Sequence, residues 1–459
     1  MRDNEARLAH RRLAVEPRAE KENVKVERSP LADIDSLLGD TDELLATAYP
    51  GDRDVRQPVH TVYVPGDRTS ADLPYQWGQQ ALECVEAHGG MLQLAERVIT
   101  AARKEGPAVP GQVVSIHQVA REAELLAEAV TAKLEREPIE DLRLDFEDGF
   151  GDQGDETEDR WVVQAARDAV AGRSEKAAPG FVGIRFKCME AATRERGLRT
   201  LDLFISELIK AGGSLPENLV LTLPKVSTVD QVRAMVLAAR ALEAEHSLGE
   251  GTITFEIQVE TPQLVLAADG TVPLATALQA GAGRVTSLHY GTYDYSASMG
   301  VAAAYQAMDH PVADFAKNQM MLAVAGTGVH LSDGSTNILP LGDPAEVHHA
   351  WALHAGLVRR HLKRGIYQGW DLHPHQLPTR FLATFAFYRE GGPRAAQRLH
   401  DYVFKADSTV LDEPATAKAL ARYLDRGLVC GAHTEEFVTS RTNLSLTQLG
   451  QLARTGSLD

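Results

Sequence analysis

Long apolar runs are absent from this sequence: no stretch reaches the roughly eighteen residues that a membrane span requires, and the charged start MRDNEARLAHRR has no apolar centre of the kind a signal peptide carries. A cytoplasmic protein is expected. Cysteine is scarce. Cys84, Cys188 and Cys430 are far apart and form neither a CxxC pair nor a zinc pattern, so reduced structural thiols are expected and a thiol nucleophile is disfavoured. Positive charge is in deficit, with 47 Lys and Arg against 64 Asp and Glu and a formal net charge of −17. That balance argues against nucleic acid and anionic membrane as partners, because phosphate surfaces are bound by clustered Lys and Arg. An anionic small molecule would have to meet a local positive site.

What is present is an ordinary globular composition, 44% hydrophobic and 24% charged over 459 residues, long enough for one large barrel with additions or for two to three domains. Residues 1–30 are dense in charge and read as an arm, and ADIDSLLGDTDELLATAY has apolar residues at helical spacing. The first strand is VHTVYVPGDR. The next strand-like run, DLRLDFEDGFGD, follows helical patterns over about residues 74–104 and 117–138. FVGIRFK, LVLTLPKV, TFEIQVE, RVTSLHYGTYD, LAVAGTGVHLSD and RGIYQGWDLHPHQ then alternate with helical segments. Eight strand candidates with helical connections favour a (β/α)8 TIM barrel over an open sheet. Past Pro378 only amphipathic helical patterns remain, so the expected organisation is an N-terminal arm and helix over 1–58, a barrel over 59–378 and a helical extension over 379–459.

In such a barrel the site lies at the C-terminal ends of the strands. Arg68 follows the first strand, Asp145, Glu147 and Asp148 end the second, Arg185 and Lys187 the third, and Lys225 the fourth. Glu260 ends the fifth, Asp294 the sixth, and His373 with His375 the eighth. Neighbouring parallel strands joined by a helix set their ends side by side, so Glu260 and Asp294 can share one hard divalent cation. Each residue has a plainer reading. The two acids could be helix caps or ion-pair partners, and Arg185 could be a buried counter-ion, although its planar fork also suits a carboxylate or enolate oxygen. Lys225 could be a Schiff-base lysine or an ion-pair partner. The histidine pair could cap a loop.

VYVPGDR, LDFEDG, VGIRFK, LPKVSTVDQV, FEIQVETP, GTYDYSASMG and GWDLHPHQ, in this order, resemble the strand-end motifs of the citrate lyase β-subunit-like and 4-hydroxy-2-oxo acid aldolase superfamily. DFED, DYS and WDLHP are also similar to motifs of malate synthase. The resemblance implies a Mg2+- or Mn2+-dependent barrel that makes or breaks a C–C bond beside a carbonyl. It implies Glu260 and Asp294 as metal ligands, Arg185 as the group stabilising an enolate, and Glu147 and Asp148 as holders of metal-bound water or substrate. Arg68, Asp145 and Lys225 are the expected substrate contacts. The expected ligand is a small oxo- or hydroxy-acid, free or as its CoA thioester, bound by a homo-oligomer. The sequence departs from the pattern in having no histidine at the end of the first strand, where the aldolases carry their base. In malate synthase a carboxylate of the C-terminal helical region is the base, which makes Asp401, Asp407 and Asp412 candidates. The extension is expected either to close over the barrel mouth or to pack elsewhere. The resulting reading is a metal-dependent C–C lyase, with a malate-synthase-like condensing enzyme and a non-catalytic metabolite-binding barrel as the alternatives.

Overall fold

The computed structural model describes residues 28–105, 116–405 and 413–458. The chain divides into two units, Met1–Ala48 and Tyr49–Asp459. In the first, the predicted helix spans Arg28–Ala48. Most of the predicted arm lies outside the described residues.

In the second unit eight strands run β1 (His60–Pro65), β2 (Asp141–Asp145), β3 (Phe181–Arg185), β4 (Leu221–Leu223), β5 (Phe255–Val259), β6 (Val285–Tyr290), β7 (His330–Ser332) and β8 (Gly369–Asp371). All pairings are parallel, in the order β7-β6-β5-β4-β3-β2-β1-β8. The ring closes through a bridge between Ser332 and Gln368, where the Asp333 N–H donates to Gln368 O at 2.9 Å and the Trp370 N–H to Gly334 O at 3.1 Å. With helices on the connections this is the (β/α)8 barrel read from the sequence. One boundary differs. The apolar residues expected to open the seventh strand belong to the helix Pro311–Val324, which buries Ala313, Ala316 and Met320 at helical spacing and leaves β7 only three residues long.

Strand residues alternate between faces. Val62, Val64, Leu142, Leu144, Ile184, Leu223, Ile257 and Val259 belong to the apolar core. The other face is unlike the branched aliphatic filling usual in these barrels, because it is polar. Arg143, fully buried, lies across the barrel from β5, with Nη2 2.8 Å from Asp141 Oδ2 and 3.0 Å from Glu256 Oε2. Glu256 also accepts from the Tyr63 hydroxyl at 3.0 Å and from Thr222 Oγ1 at 2.5 Å. Burial opposes its ionisation, and Arg143 overrides that, so its carboxyl is held below the usual value. Trp370 Nε1 donates to His289 Nδ1 at 3.0 Å, and burial pushes that imidazole down to about 4, so it is neutral. A Cβ at position 183 would lie 1.6 Å from the Val220 carbonyl oxygen and 3.1 Å from Arg143 Nη1, so glycine there makes the room that this network needs.

The last part of the chain does not cover the mouth. The helix Leu377–Phe404 begins beside the C-terminal ends of the strands, and its 28 residues reach about 42 Å at the α-helical rise. Arg389, midway along it, donates to the carbonyls of Leu125 and Ala432. Beyond it the helices Pro414–Val429 and Leu446–Thr455 lie at the opposite pole, against the segments that lead into β1 and β8. Arg422 pairs with Asp52, Arg454 with Asp54 at 3.0 Å, and the Arg426 guanidinium stacks 4.0 Å over the Tyr367 ring. These helices share a small core of their own that includes Leu399, Leu424, Leu449 and Leu452. Of the two courses expected for the extension, its described residues take the one that packs away from the mouth. Asp401, near the end of the long helix, accepts from Gln397 and His400 far from the strand ends, and Asp407 and Asp412 lie outside the described residues.

Candidate active site

At the C-terminal rim the chain turns from strand to helix, and the polar residues of the motifs gather there. The centre is a fork. Arg185, last residue of β3, donates Nε to Asp145 Oδ1 at 2.7 Å and Nη2 to Asp145 Oδ2 at 2.6 Å, with its guanidinium 4.9 Å over the Tyr63 ring. Asp145, last residue of β2, accepts in addition the N–H groups of Glu147 at 3.0 Å and Gly149 at 2.8 Å. Four donors fill the four acceptor positions of a carboxylate. Asp145 is 2% exposed, so the substrate contact expected of it is corrected to a positioning role: it fixes Arg185 and folds the DFEDG turn. Its grip leaves one edge of the fork unclaimed by it. Arg185 Nη1 lies 3.4 Å from Gln258 Oε1 and 3.6 Å from Glu147 Oε2.

Glu260 follows β5 and is 1% exposed. Its Oε1 accepts the Lys225 backbone N–H at 2.7 Å and its Oε2 the Gln258 amide at 2.9 Å, both neutral donors. Burial, and then Asp294, push its carboxyl up to about 8. Gly291 is what lets the β6 end pass so close. A Cβ there would lie 2.5 Å from Glu260 Cβ and 2.7 Å from Oε2. Asp294 sits one turn further on than the sequence reading placed it, within the helix Thr292–Ser298, and is half-exposed.

Lys225 ties the acids together. Its φ of +49° is in the left-handed region, which costs a non-glycine residue about 1–2 kcal/mol. This conformation lets one residue give its N–H to Glu260 and its ammonium to Glu147 at 2.5 Å and Asp148 at 2.7 Å, with Asp294 at 4.0 Å. Burial opposes its charge, and Glu147 and Glu260 more than offset that, raising it above the ordinary lysine value. The contacts with Glu147 and Asp148 are those of the ion-pair alternative. Burial, ahead of every other influence, raises Glu147 despite Arg185 and Lys225.

The remaining rim residues are less central. Arg68 is exposed on the turn Gly66–Arg68 and makes no ion pair among the described residues. Lys187 braces the acidic loop through Glu158 at 2.6 Å and the carbonyls of Phe146 and Gly151. His373 Nδ1 accepts from the His375 N–H at 3.2 Å, and His375 contacts the Pro340 carbonyl at 3.0 Å, which is the loop-capping alternative. The sequence reading missed Gln258 and the network beneath it. The signal was available: Asp141, Arg143 and Asp145, and Glu256, Gln258 and Glu260, recur at a period of two and so share one face of their strands.

The carboxylates at the rim suit a hard divalent cation. Glu260 is a buried acid whose ionised form has only neutral donors on its oxygens, which leaves its charge for a cation to answer. Two acids also suffice for Mg2+, which takes one or two carboxylates and completes its shell with water and substrate oxygens. Among the described residues, the three side chains of metal-ligating type that converge within 4.8 Å of one another are elsewhere, Asp202, Glu245 and His246 on the outer helices.

The barrel is similar to a citrate lyase from Burkholderia xenovorans LB400, at 17% identity over 85% of this chain and 97% of that chain, with a TM-score of 0.50. It also matches a Haloferax volcanii malate synthase magnesium/glyoxylate complex, at 15% identity over 72% and 75% of the two chains and a TM-score of 0.47. A third match is a citrate lyase beta subunit from M. tuberculosis complexed with oxaloacetate and magnesium, at 17% identity over 71% and 96% and a TM-score of 0.39. At 17% identity the likeness to the first of these establishes the fold alone. No curated protein matches the sequence. Residues 38–456 match the domain family DUF6986, described as a domain of unknown function, and the chain belongs to that family.

Proposed function

We propose that the chain is a divalent-metal-dependent C–C lyase that acts, through an enolate, on a small hydroxy- or oxo-acid, free or as its CoA thioester. The observation that carries this reading is the convergence at one rim of a buried acid whose own hydrogen-bond donors are all neutral, Glu260, a second acid, Asp294, and a guanidinium oriented by a saturated carboxylate. Glu260 and Asp294 would hold Mg2+ or Mn2+, which when bound polarises the carbonyl of a 2-oxo acid. Arg185 offers Nη1 to negative charge that develops beside it, and Asp145 keeps it from reorienting as the charge forms. Glu147, raised by burial and lying within reach of Arg185 and Lys225, would carry a proton, since no histidine stands at the end of the first strand. Asp401, one of the three base candidates of the condensing alternative, lies away from the rim.

The test is proton exchange at the methyl carbon of pyruvate in deuterated water, followed by NMR after EDTA treatment and again after adding Mg2+. Exchange that appears only with the metal supports the lyase. No exchange in either condition, and no cleavage in a screen of hydroxy- and oxo-acids or their CoA thioesters, leaves the metabolite-binding barrel. Arg185→Lys keeps the charge but loses the fork, and kcat is expected to fall by about 10²-fold, the cost of one preorganised donor. An unchanged kcat with a raised KM would assign Arg185 to ground-state binding instead.

A further inference from the structure

The rim holds four carboxylates that are not saturated by the fork: Glu147, Asp148, Glu260 and Asp294. Arg185 is occupied on two of its nitrogens by Asp145 and reaches only Glu147 with the third, at 3.6 Å, so the cation in close contact with these acids is Lys225. Its ammonium is 2.5 Å from Glu147, 2.7 Å from Asp148 and 4.0 Å from Asp294, and its own N–H holds Glu260. A lysine placed only to bind an anionic substrate would not have three acids within reach of its ammonium.

We propose that Lys225 is an internal counter-cation of the acidic rim, one that repels a divalent ion held by the neighbouring Glu260 and Asp294 and sets how tightly that ion is held. The inference rests on the metal site proposed above and deepens it. The left-handed backbone at Lys225 lets a single residue brace Glu260 through its main chain while its side chain neutralises the facing turn. Binding of a divalent ion at Glu260 and Asp294 then brings two charges of the ion toward the ammonium. Lys225 therefore weakens metal binding while stabilising the acids in its absence, and it is a positioning residue whose effect appears in metal affinity.

Calorimetric titration with MgCl2 alone tests this, with no substrate present. Lys225→Met is expected to bind Mg2+ at least about tenfold more tightly than the unaltered chain. A factor of this order would follow from deleting one unit charge close to a divalent ion even at the dielectric constant of water. Lys225→Arg keeps the charge and is expected to stay within about threefold of the unaltered chain, a contrast that a purely structural role would not produce. Lys225→Gln replaces the Met variant if that variant does not fold, with the same expectation. Equal or weaker Mg2+ binding in the neutral variants overturns the inference and leaves the metal site standing. Tighter binding in the Arg variant as well would show that charge is not the cause and would also overturn it. If the unaltered chain and all variants fail to bind Mg2+, the metal site of the proposed function falls, and this inference falls with it.

Discussion

Glu260→Gln is expected to abolish Mg2+-dependent turnover while leaving the barrel folded. The substitution keeps the volume and the acceptor for the Lys225 N–H, and it removes the anionic ligand. Loss of Mg2+ affinity should be about 10²-fold or more, since even changes to residues behind a metal ligand cost 10- to 100-fold. Asp294→Asn should behave alike in activity. The pH dependence separates the two. The folded chain holds a proton on Glu260 from the ordinary value of 4.5 up to about 8, where the unfolded chain has released it. Stability of the metal-free protein therefore falls as pH rises through that window and levels off above it. Glu260→Gln should flatten this slope, as read by thermal melts in EDTA across the window, and Asp294→Asn should flatten it less. Undiminished turnover of Glu260→Gln in Mg2+ would reject the site.

The second large effect is on stability and lies behind the rim. Asp371, the last residue of β8, is fully buried and faces away from the barrel interior. Its oxygens take Arg380 Nη2 at 2.9 Å and Nε at 3.0 Å, His60 Nδ1 at 2.6 Å and His354 Nε2 at 3.0 Å. One carboxylate thus joins β1, β8 and two helices where the first strand pairs with the last. Asp371→Asn leaves the buried Arg380 without its anion and is expected to cost about 3–5 kcal/mol, the usual result of breaking a buried pair from one side. A shift in urea midpoint with an unchanged slope would measure it. Burial works against ionisation of Asp371, and Arg380 overrides it, holding the acid well below its ordinary value of 3.8. Its contribution is present above that value and is lost as pH falls toward the folded value, so the variant should lose part of its acid sensitivity. A midpoint within experimental scatter of the unaltered chain would show the cluster to be dispensable.

These two residues mark what could be read in advance. Glu260 was legible because a residue directly after a barrel strand, here FEIQV, stands at the C-terminal rim. Arg185, Lys225 and the DFEDG acids were legible on the same ground, and so were the eight strands. Asp371 was not. It stands in the same kind of place, yet its partners His60, His354 and Arg380 come from three distant segments, and nothing local says which way the side chain points. Asp145 misled for a related reason, since only the geometry shows its acceptors filled. The course of the last helices was hidden too. A helix that begins at one pole with Leu377 ends at the other simply because it is long, and length alone does not tell which neighbour it will follow.

The ion pairs of Arg422 with Asp52 and of Arg454 with Asp54 join the approach to the first strand with the final helices, almost the whole chain apart. During synthesis β1 emerges early, but its seam partner β8 and this clasp are made last. The ring therefore cannot close until Gly369–Asp371 has been made, and the earlier strands must wait with open edges, the state in which unpaired strands associate wrongly. A chain cut short within the last helix would carry every residue of the candidate site and still mature slowly, because contacts between sequence ends are the slowest to find.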